Sequence, residues 1–169
     1  VLSTNLTRRT NVEWVHLLGD FGVSLMGRHA RIIAPVRRLA FGDWTRQGLP
    51  FYGGNVTYHC SCESNGGFSR LTFPLFKAAL LSVKVNQKPA APVAFAPFEI
   101  DLGRLPAKRA RLDITAFGNR FNTFGTLHNI NPHLRWIGPE AWRTSGAHWT
   151  YEYQLRPMGV LTAPCVMER

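Results

Sequence analysis

From Asn55 to Glu63 the chain changes character at every step, with Val56, Tyr58, Cys60 and Cys62 on one side and Thr57, His59 and Ser61 on the other. Successive side chains point to opposite faces in an extended strand, so this period of two predicts a half-buried strand of a sheet with one wet face. The period returns along the chain. Val23 to Met26 and Ala30 to Ile33 form an expected pair around Gly27-Arg28, and Ser69, Leu71 and Phe73 alternate after the turn residues Asn65-Gly66-Gly67. Leu81, Val83 and Val85, then Ala110, Leu112 and Ile114, then Trp149, Tyr151, Tyr153 and Leu155 repeat it. Val12 to Leu18 also alternates but carries apolar groups on both sides, which predicts a strand covered on both faces. Helical periodicity is confined to short turns near Phe76 to Leu80 and Pro139 to Arg143. About eight short strands separated by Gly/Pro loops predict an all-β fold, a two-sheet β-sandwich of jelly-roll type.

Composition fits one such domain. The chain has 169 residues, 45% of them hydrophobic, with 15 Gly and 11 Pro to supply the turns. Residues 1–11, with Ser3-Thr4-Asn5-Leu6-Thr7-Arg8-Arg9, have a linker's polarity, and residues 12–169 are expected to form a single sandwich. The expectation is therefore a piece of something longer. The longest apolar tract, Pro89 to Phe98, is ten residues and broken by prolines, so no membrane span is expected. Three cysteines build no disulfide framework and leave the compartment open.

A net charge of +10 raises the question of nucleic acid. The cations are spread, however. Arg31, Arg109 and Arg111 sit at strand positions where an outward cation keeps a face wet, and Arg8-Arg9 and Arg37-Arg38 are short doublets with no longer block. No specific DNA or RNA partner is expected. His59-Cys60-Ser61-Cys62 imitates a metal motif, but His59 faces away from the two cysteines, which read as small interior hydrophobes. His128 and His133 form no recognisable ligand pair, so neither metal nor cofactor is expected.

Catalysis finds no home in the motifs. Asp20 and Asp43 follow glycines in turns, where Asp caps its own backbone, and Asp101 and Asp113 lie in or beside strands. None is marked as one of the two carboxylates a glycosidase needs. No G-x-S-x-G nucleophile elbow, Walker loop or dinucleotide glycine pattern occurs. What remains is aromatic. Trp44, Phe51 and Tyr52 lie in a Gly/Pro-rich loop, while Trp136, Trp142 and Trp149 crowd the last third beside His128, His133, Arg135 and Arg143. Aromatic faces stack on the C–H faces of sugar rings, and imidazole or guanidinium groups hydrogen-bond the hydroxyls. The candidate carbohydrate-binding residues are Trp44, Tyr52, His128, Trp136, Trp142 and Arg143, with Trp44, Trp136 and Trp142 expected to be exposed and Trp149 expected in the core.

The run Gly42-Asp43-Trp44-Thr45-Arg46-Gln47-Gly48-Leu49-Pro50-Phe51-Tyr52-Gly53-Gly54-Asn55-Val56-Thr57-Tyr58 resembles the opening of the galactose-binding-like sandwich of glycoside hydrolase sugar-binding and accessory domains, as in family 2. Leu81-Ser82-Val83-Lys84-Val85-Asn86 resembles that family's strand before a "V-N-G" hairpin, with Gln87 in place of the glycine, which implies a different turn. Ala96-Pro97-Phe98-Glu99-Ile100-Asp101-Leu102 resembles its "P-Y-x-V-D-I" stretch. Arg111 to Phe117, then Gly118-Asn119, resemble the strand and turn before the loop that carries Leu127-His128-Asn129, although the spacing of that loop departs from the family's. The resemblance spans about residues 42–160. It implies a non-catalytic carbohydrate-recognition or accessory domain of a larger glycoside hydrolase, whose partners are carbohydrate and the parent chain's catalytic domain. The alternative it leaves open is a purely structural module docked on that catalytic domain.

Overall fold

The computed structural model describes residues 3, 5, 7–10, 17–131, 138, 141, 142 and 145–168. It is nearly all β, with 39% strand and 5% helix. Strands β1 (Gly22–Met26) and β2 (His29–Ile33) form an antiparallel hairpin whose Gly27 takes a φ of 56° at the turn. They are followed by β3 (Val56–Ser64), β4 (Phe68–Thr72), β5 (Phe76–Lys77), β6 (Leu81–Val85), β7 (Lys88–Pro89), β8 (Glu99–Arg104) and β9 (Lys108–Ala116). A single helical turn, α1 (Phe121–Phe124), precedes β10 (Gly159–Val160) and β11 (Cys165–Glu168).

Two antiparallel sheets make the body of the sandwich. One has the order β3-β9-β6-β7 and the other β11-β4-β8, with β10-β5 as a short pair beside them. The chain passes from the first sheet to the second between β3 and β4 and between β7 and β8, and returns between β8 and β9. Asn65 to Gly67 make the crossing from β3 to β4, with Gly66 at a φ of 87°. The residues the period of two assigns inward do meet inside. Tyr58, Val83, Leu112 and Ile114 from the first sheet pack with Leu71, Phe73, Ile100 and Val160 from the other elements. Each such side chain contributes about 1.5–3 kcal/mol by leaving water. Their outward neighbours Thr57, His59, Ser61 and Arg111 stay wet.

Four expectations are corrected. Trp149 to Leu155 forms no strand: the chain bends at Tyr151 and Glu152, and only an isolated bridge joins Trp149 to Asn129. Alternation there occurs without a ladder partner. Phe76 to Leu80 is not a helical turn, because Phe76–Lys77 pairs with Gly159–Val160 as β5. Trp149 is half-buried rather than core. Trp44 is 0% exposed, whereas exposure was expected. Of the expected strand from Val12 to Leu18, residues 12–16 lie outside the described residues, while Leu17 and Leu18 are exposed and form no strand; most of the expected turn from Pro139 to Arg143 and the site candidates Trp136 and Arg143 also lie outside the described residues.

Trp44 is buried because its loop folds back over the end of the sandwich. Asp43 caps the short 3-10 turn Trp44–Arg46 by accepting from the Thr45 N–H at 2.9 Å, and its carboxylate also accepts from the Met158 N–H at 3.1 Å. The Trp44 N–H donates to the Met158 carbonyl at 3.0 Å and the Gly42 N–H to that of Val160 at 2.8 Å. The indole thereby plugs the core, with Gly159, at a φ of 113°, passing close against its face.

Candidate functional site

Of the six candidates, His128 is the one the structure builds into a cluster of rings. Residues 127–130 run antiparallel to 148–154. The Thr150 N–H donates to the His128 carbonyl at 2.9 Å, Ile130 N–H to His148 at 2.9 Å and Gln154 N–H to Leu127 at 2.7 Å. The His128 Nδ1 lies 2.9 Å from the Thr150 carbonyl. A carbonyl only accepts, so Nδ1 carries the proton, and in the neutral ring Nε2 remains an acceptor.

Around this imidazole the odd-numbered rings of residues 149–153 gather. Tyr153 lies 4.9 Å from it and Trp149 6.2 Å, Phe51 meets Tyr153 edge-on at 5.0 Å, and Tyr151 meets Trp149 edge-on at 4.2 Å. These are distances at which aromatic pairs attract. The outermost ring, Tyr151, is 60% exposed, and the Arg28 guanidinium of the β1–β2 hairpin sits over it at 5.3 Å. A methyl group placed on Gly27 at the tip of that hairpin would be 3.9 Å from the Glu152 carboxylate. Three separate segments, the β1–β2 hairpin, residues 127–130 and residues 149–153, therefore bring aromatic rings beside a cation, a carboxylate and an imidazole. Its chemistry is stacking and hydrogen bonding without an activated nucleophile.

The other candidates divide. Trp44 belongs to the core and offers no face to a ligand. Tyr52 is half exposed, packs edge-on to Trp44 at 6.2 Å and spends its hydroxyl on the Asn55 carbonyl at 3.0 Å, while its neighbour Phe51 reaches the cluster. Trp142 is 43% exposed, and among the described residues no ring contact joins it to His128. Arg28, Trp149, Tyr151, Tyr153 and Glu152 were not among the sequence candidates. Their signal was the recurrence of a ring at every second residue from Trp149 to Tyr153, and it was spent on predicting a core strand.

A second concavity of about 580 Å³ lies near the β5–β10 pair, lined by Leu75, Phe76, Phe98 and Met158 with Lys77, Asn119 and Arg156 at its polar side. Phe76 meets Phe98 edge-on at 5.0 Å, and the Arg156 guanidinium is stacked on Phe121 at 3.5 Å. Leu75 and Phe98 are exposed, and Phe95 beside Ala94 of this cleft is 85% exposed. Among the described residues, no three His, Cys, Asp or Glu side chains gather where they could hold a metal ion. No helix among them is long and apolar enough to cross a membrane.

No protein-family model matches the chain, and no curated protein matches it. Among solved structures, it is similar over 96% of its length to 16% of a rhamnosidase from Novosphingobium sp. PP1Y, at 17% identity and a TM-score of 0.54. At that identity the likeness is one of fold. Two structures of a GH2 beta-galacturonidase from Eisenbergiella tayi also align, one bound to galacturonate and the other to glycerol. They do so over 63% and 66% of this chain and 18% and 19% of theirs, at 26% and 27% identity and TM-scores of 0.40 and 0.41. The chain thus spans less than a fifth of the length of each of these three glycoside hydrolase chains.

Proposed function

We propose that the chain is a non-catalytic accessory domain of a larger glycoside hydrolase, of the galactose-binding-like, jelly-roll kind, and that it contacts carbohydrate through the cluster at His128, Trp149, Tyr151 and Tyr153. The observation that carries the sugar-binding reading is that cluster: an exposed ring with a guanidinium over it and a carboxylate beside it, held by main-chain pairing between two loops. Sugar recognition needs both components, because a ring face takes the C–H side of the saccharide while charged and polar groups take its hydroxyls. The accessory role is supported by a likeness of almost the whole chain to about a sixth of a rhamnosidase. The ordered motifs from Gly42 to His128 agree with it. Residues 12–169 are proposed as the single sandwich domain, and Trp142, Trp136 and Arg143 as further contacts.

Titration of neutral oligosaccharides by calorimetry, preceded by a glycan array, tests this reading. At least one glycan is expected to bind, and Tyr151→Ala and Trp149→Ala are each expected to weaken it tenfold or more without loss of cooperative unfolding. Binding by no glycan, or equal binding by both variants, would sink it.

The exposed apolar cleft supports a second reading. Leu75, Phe95 and Phe98 are large, exposed and close in the fold to Phe76 and Met158, which is the kind of surface a domain keeps against a neighbour in the same chain. In that case the domain orients a catalytic domain and has no sugar site of its own. The same array distinguishes the two.

A further inference from the structure

The outer face of the β3-β9-β6 sheet carries an ordered arrangement of charge that the ring cluster does not use. Strand register lays it out in rows. His59, Asp113 and Lys84 stand side by side across the three strands, Ser61 faces Arg111, and Glu63 faces Arg109. Asn86, in the β6–β7 turn, extends the second row by accepting from the Arg111 N–H at 2.9 Å and donating its own N–H to the Arg111 carbonyl at 2.9 Å. A shallow groove of about 390 Å³ runs over these rows, lined by His59, Cys60, Ser61, Asn86, Arg109 and Arg111.

The lining contains no carboxylate. Asp113, next to it, is engaged twice: His59 Nδ1 lies 2.7 Å from one of its oxygens and Arg111 Nε donates to the same oxygen at 3.1 Å. A carboxylate accepts, so His59 Nδ1 is protonated, and the 3.4 Å approach of Arg111 to that nitrogen brings two donors together rather than making a hydrogen bond. Arg109 leans away from Glu63 and gives a terminal nitrogen to Ser61 Oγ at 2.9 Å. Each guanidinium is thus anchored at one corner, which lowers the entropy cost of ordering it, and keeps donors for a ligand. The other sheet shows the contrast. There Arg70 donates to Glu99 at 2.8 Å and to Asp101 at 2.8 and 3.2 Å, two carboxylates on one cation. On the β9 face the balance is reversed, with Arg109, Arg111 and Lys84 against Asp113 and Glu63.

We propose that this groove binds an anionic saccharide, a sugar ring bearing a carboxylate or a sulfate ester, with Arg109 and Arg111 taking the anion. Ser61, Asn86 and the Nε2 side of His59 take hydroxyls. Guanidinium forks suit planar or tetrahedral oxyanions, the volume is that of a small ligand site, and the neutral lining groups are hydrogen-bonders rather than apolar anchors for a peptide. The site is on strands β3 and β9, apart from the loops of the ring cluster, so the two stand or fall separately.

The test is calorimetric titration of the whole chain at low salt, with NMR shifts of His59 followed in parallel. The probes are a glucuronate-containing disaccharide, a sulfated disaccharide, their neutral counterpart, sodium sulfate and a poly-glutamate peptide. A preference of tenfold or more for either acidic disaccharide over the neutral one is expected, with the His59 resonances moving. Which acidic arm binds tighter identifies the anion. R109Q/R111Q, checked for an unchanged melting curve, is expected to abolish the preference, and Tyr151→Ala to leave it intact. Equal binding of acidic and neutral sugars, or peptide or free sulfate binding as tightly as the acidic sugars, would overturn the proposal. So would an unmoved His59, a readout that does not depend on any variant folding.

Discussion

Single residues in this protein hold positions that their chemistry only partly suits. Gln87 is the clearest. With Asn86 at a φ of 47° and Gln87 at 71°, the two-residue link between β6 and β7 is a type I′ turn, whose second position is the usual place for glycine. The different turn expected from the missing glycine does not form: the link takes the type I′ form that Asn-Gly favours, with a Cβ where the backbone disfavours one. Gln87→Gly is expected to raise stability by about 0.5–1 kcal/mol, the relief of left-handed strain less the extra freedom glycine has when unfolded, as read from urea melts. Asp113 is the opposite case. The hydrogen bond from His59, followed by that from Arg111, holds its carboxyl below the ordinary value of 3.8. A depressed carboxylate contributes stability that is complete above the unfolded value and is lost as pH falls through the lower folded one. Asp113→Asn is accordingly expected to flatten the acid limb of the stability–pH curve below about pH 4, where the wild type keeps falling. Burial, by contrast, pushes the Cys60 and Cys62 thiols up, which keeps them protonated and unreactive at neutral pH.

At the scale of elements, strands that exchange a full ladder were readable and segments held by loops were not. β3 and β9 are paired in register from Val56 with Ala116 to Ser64 with Lys108, and both show the period of two in their residues. The segment from Trp149 to Tyr153 shows the same period without a ladder, because it bends at Tyr151 and Glu152 and its backbone bonds residues 127–130 only intermittently. Periodicity reports which way side chains point, not what the backbone pairs with. The crossing just after β9 is set by close approach. A methyl group on Gly118 would run into the Gly54 carbonyl oxygen, a contact with backbone that no side-chain rotation relieves. Gly118→Ala is expected to cost about 1–3 kcal/mol in thermal or urea unfolding, as the two chain segments are forced apart. The β1–β2 hairpin, paired to no other strand among the described residues, is attached in part by the Val23 N–H bonding to the Gly48 carbonyl at 2.8 Å. Arg28 at its tip nonetheless reaches the ring cluster, so Arg28→Ala is expected to weaken glycan binding severalfold in the same titration while leaving the melting temperature within a degree or so.

Across the whole molecule, two sheets share one core and a loop closes its end. Trp44 is the plug, and Trp44→Ala is expected to cost about 3–5 kcal/mol in urea unfolding, a large part of what a domain of this size possesses. Loss of stability without a specific loss at the ring cluster would separate that structural role from the ligand role first assigned to Trp44. The all-β class, the inward faces of β3, β4, β6 and β9 and the hairpin at Gly27-Arg28 were determined by the residues alone, because alternation, turn glycines and β-branched side chains are local properties. The spread of arginines over wet strand positions was equally local, and it argued against a nucleic-acid block. Three things waited for the tertiary structure: that the loop at Trp44 folds inward, that Trp149 and Tyr153 pack on His128 instead of filling a core, and that Arg111 bonds one carboxylate and Arg109 a serine hydroxyl while Arg70 bonds two carboxylates. Each depends on contacts between residues distant along the chain. Burial and charge balance are set by such neighbours, and a sequence pattern specifies a side chain's direction without specifying what stands opposite it.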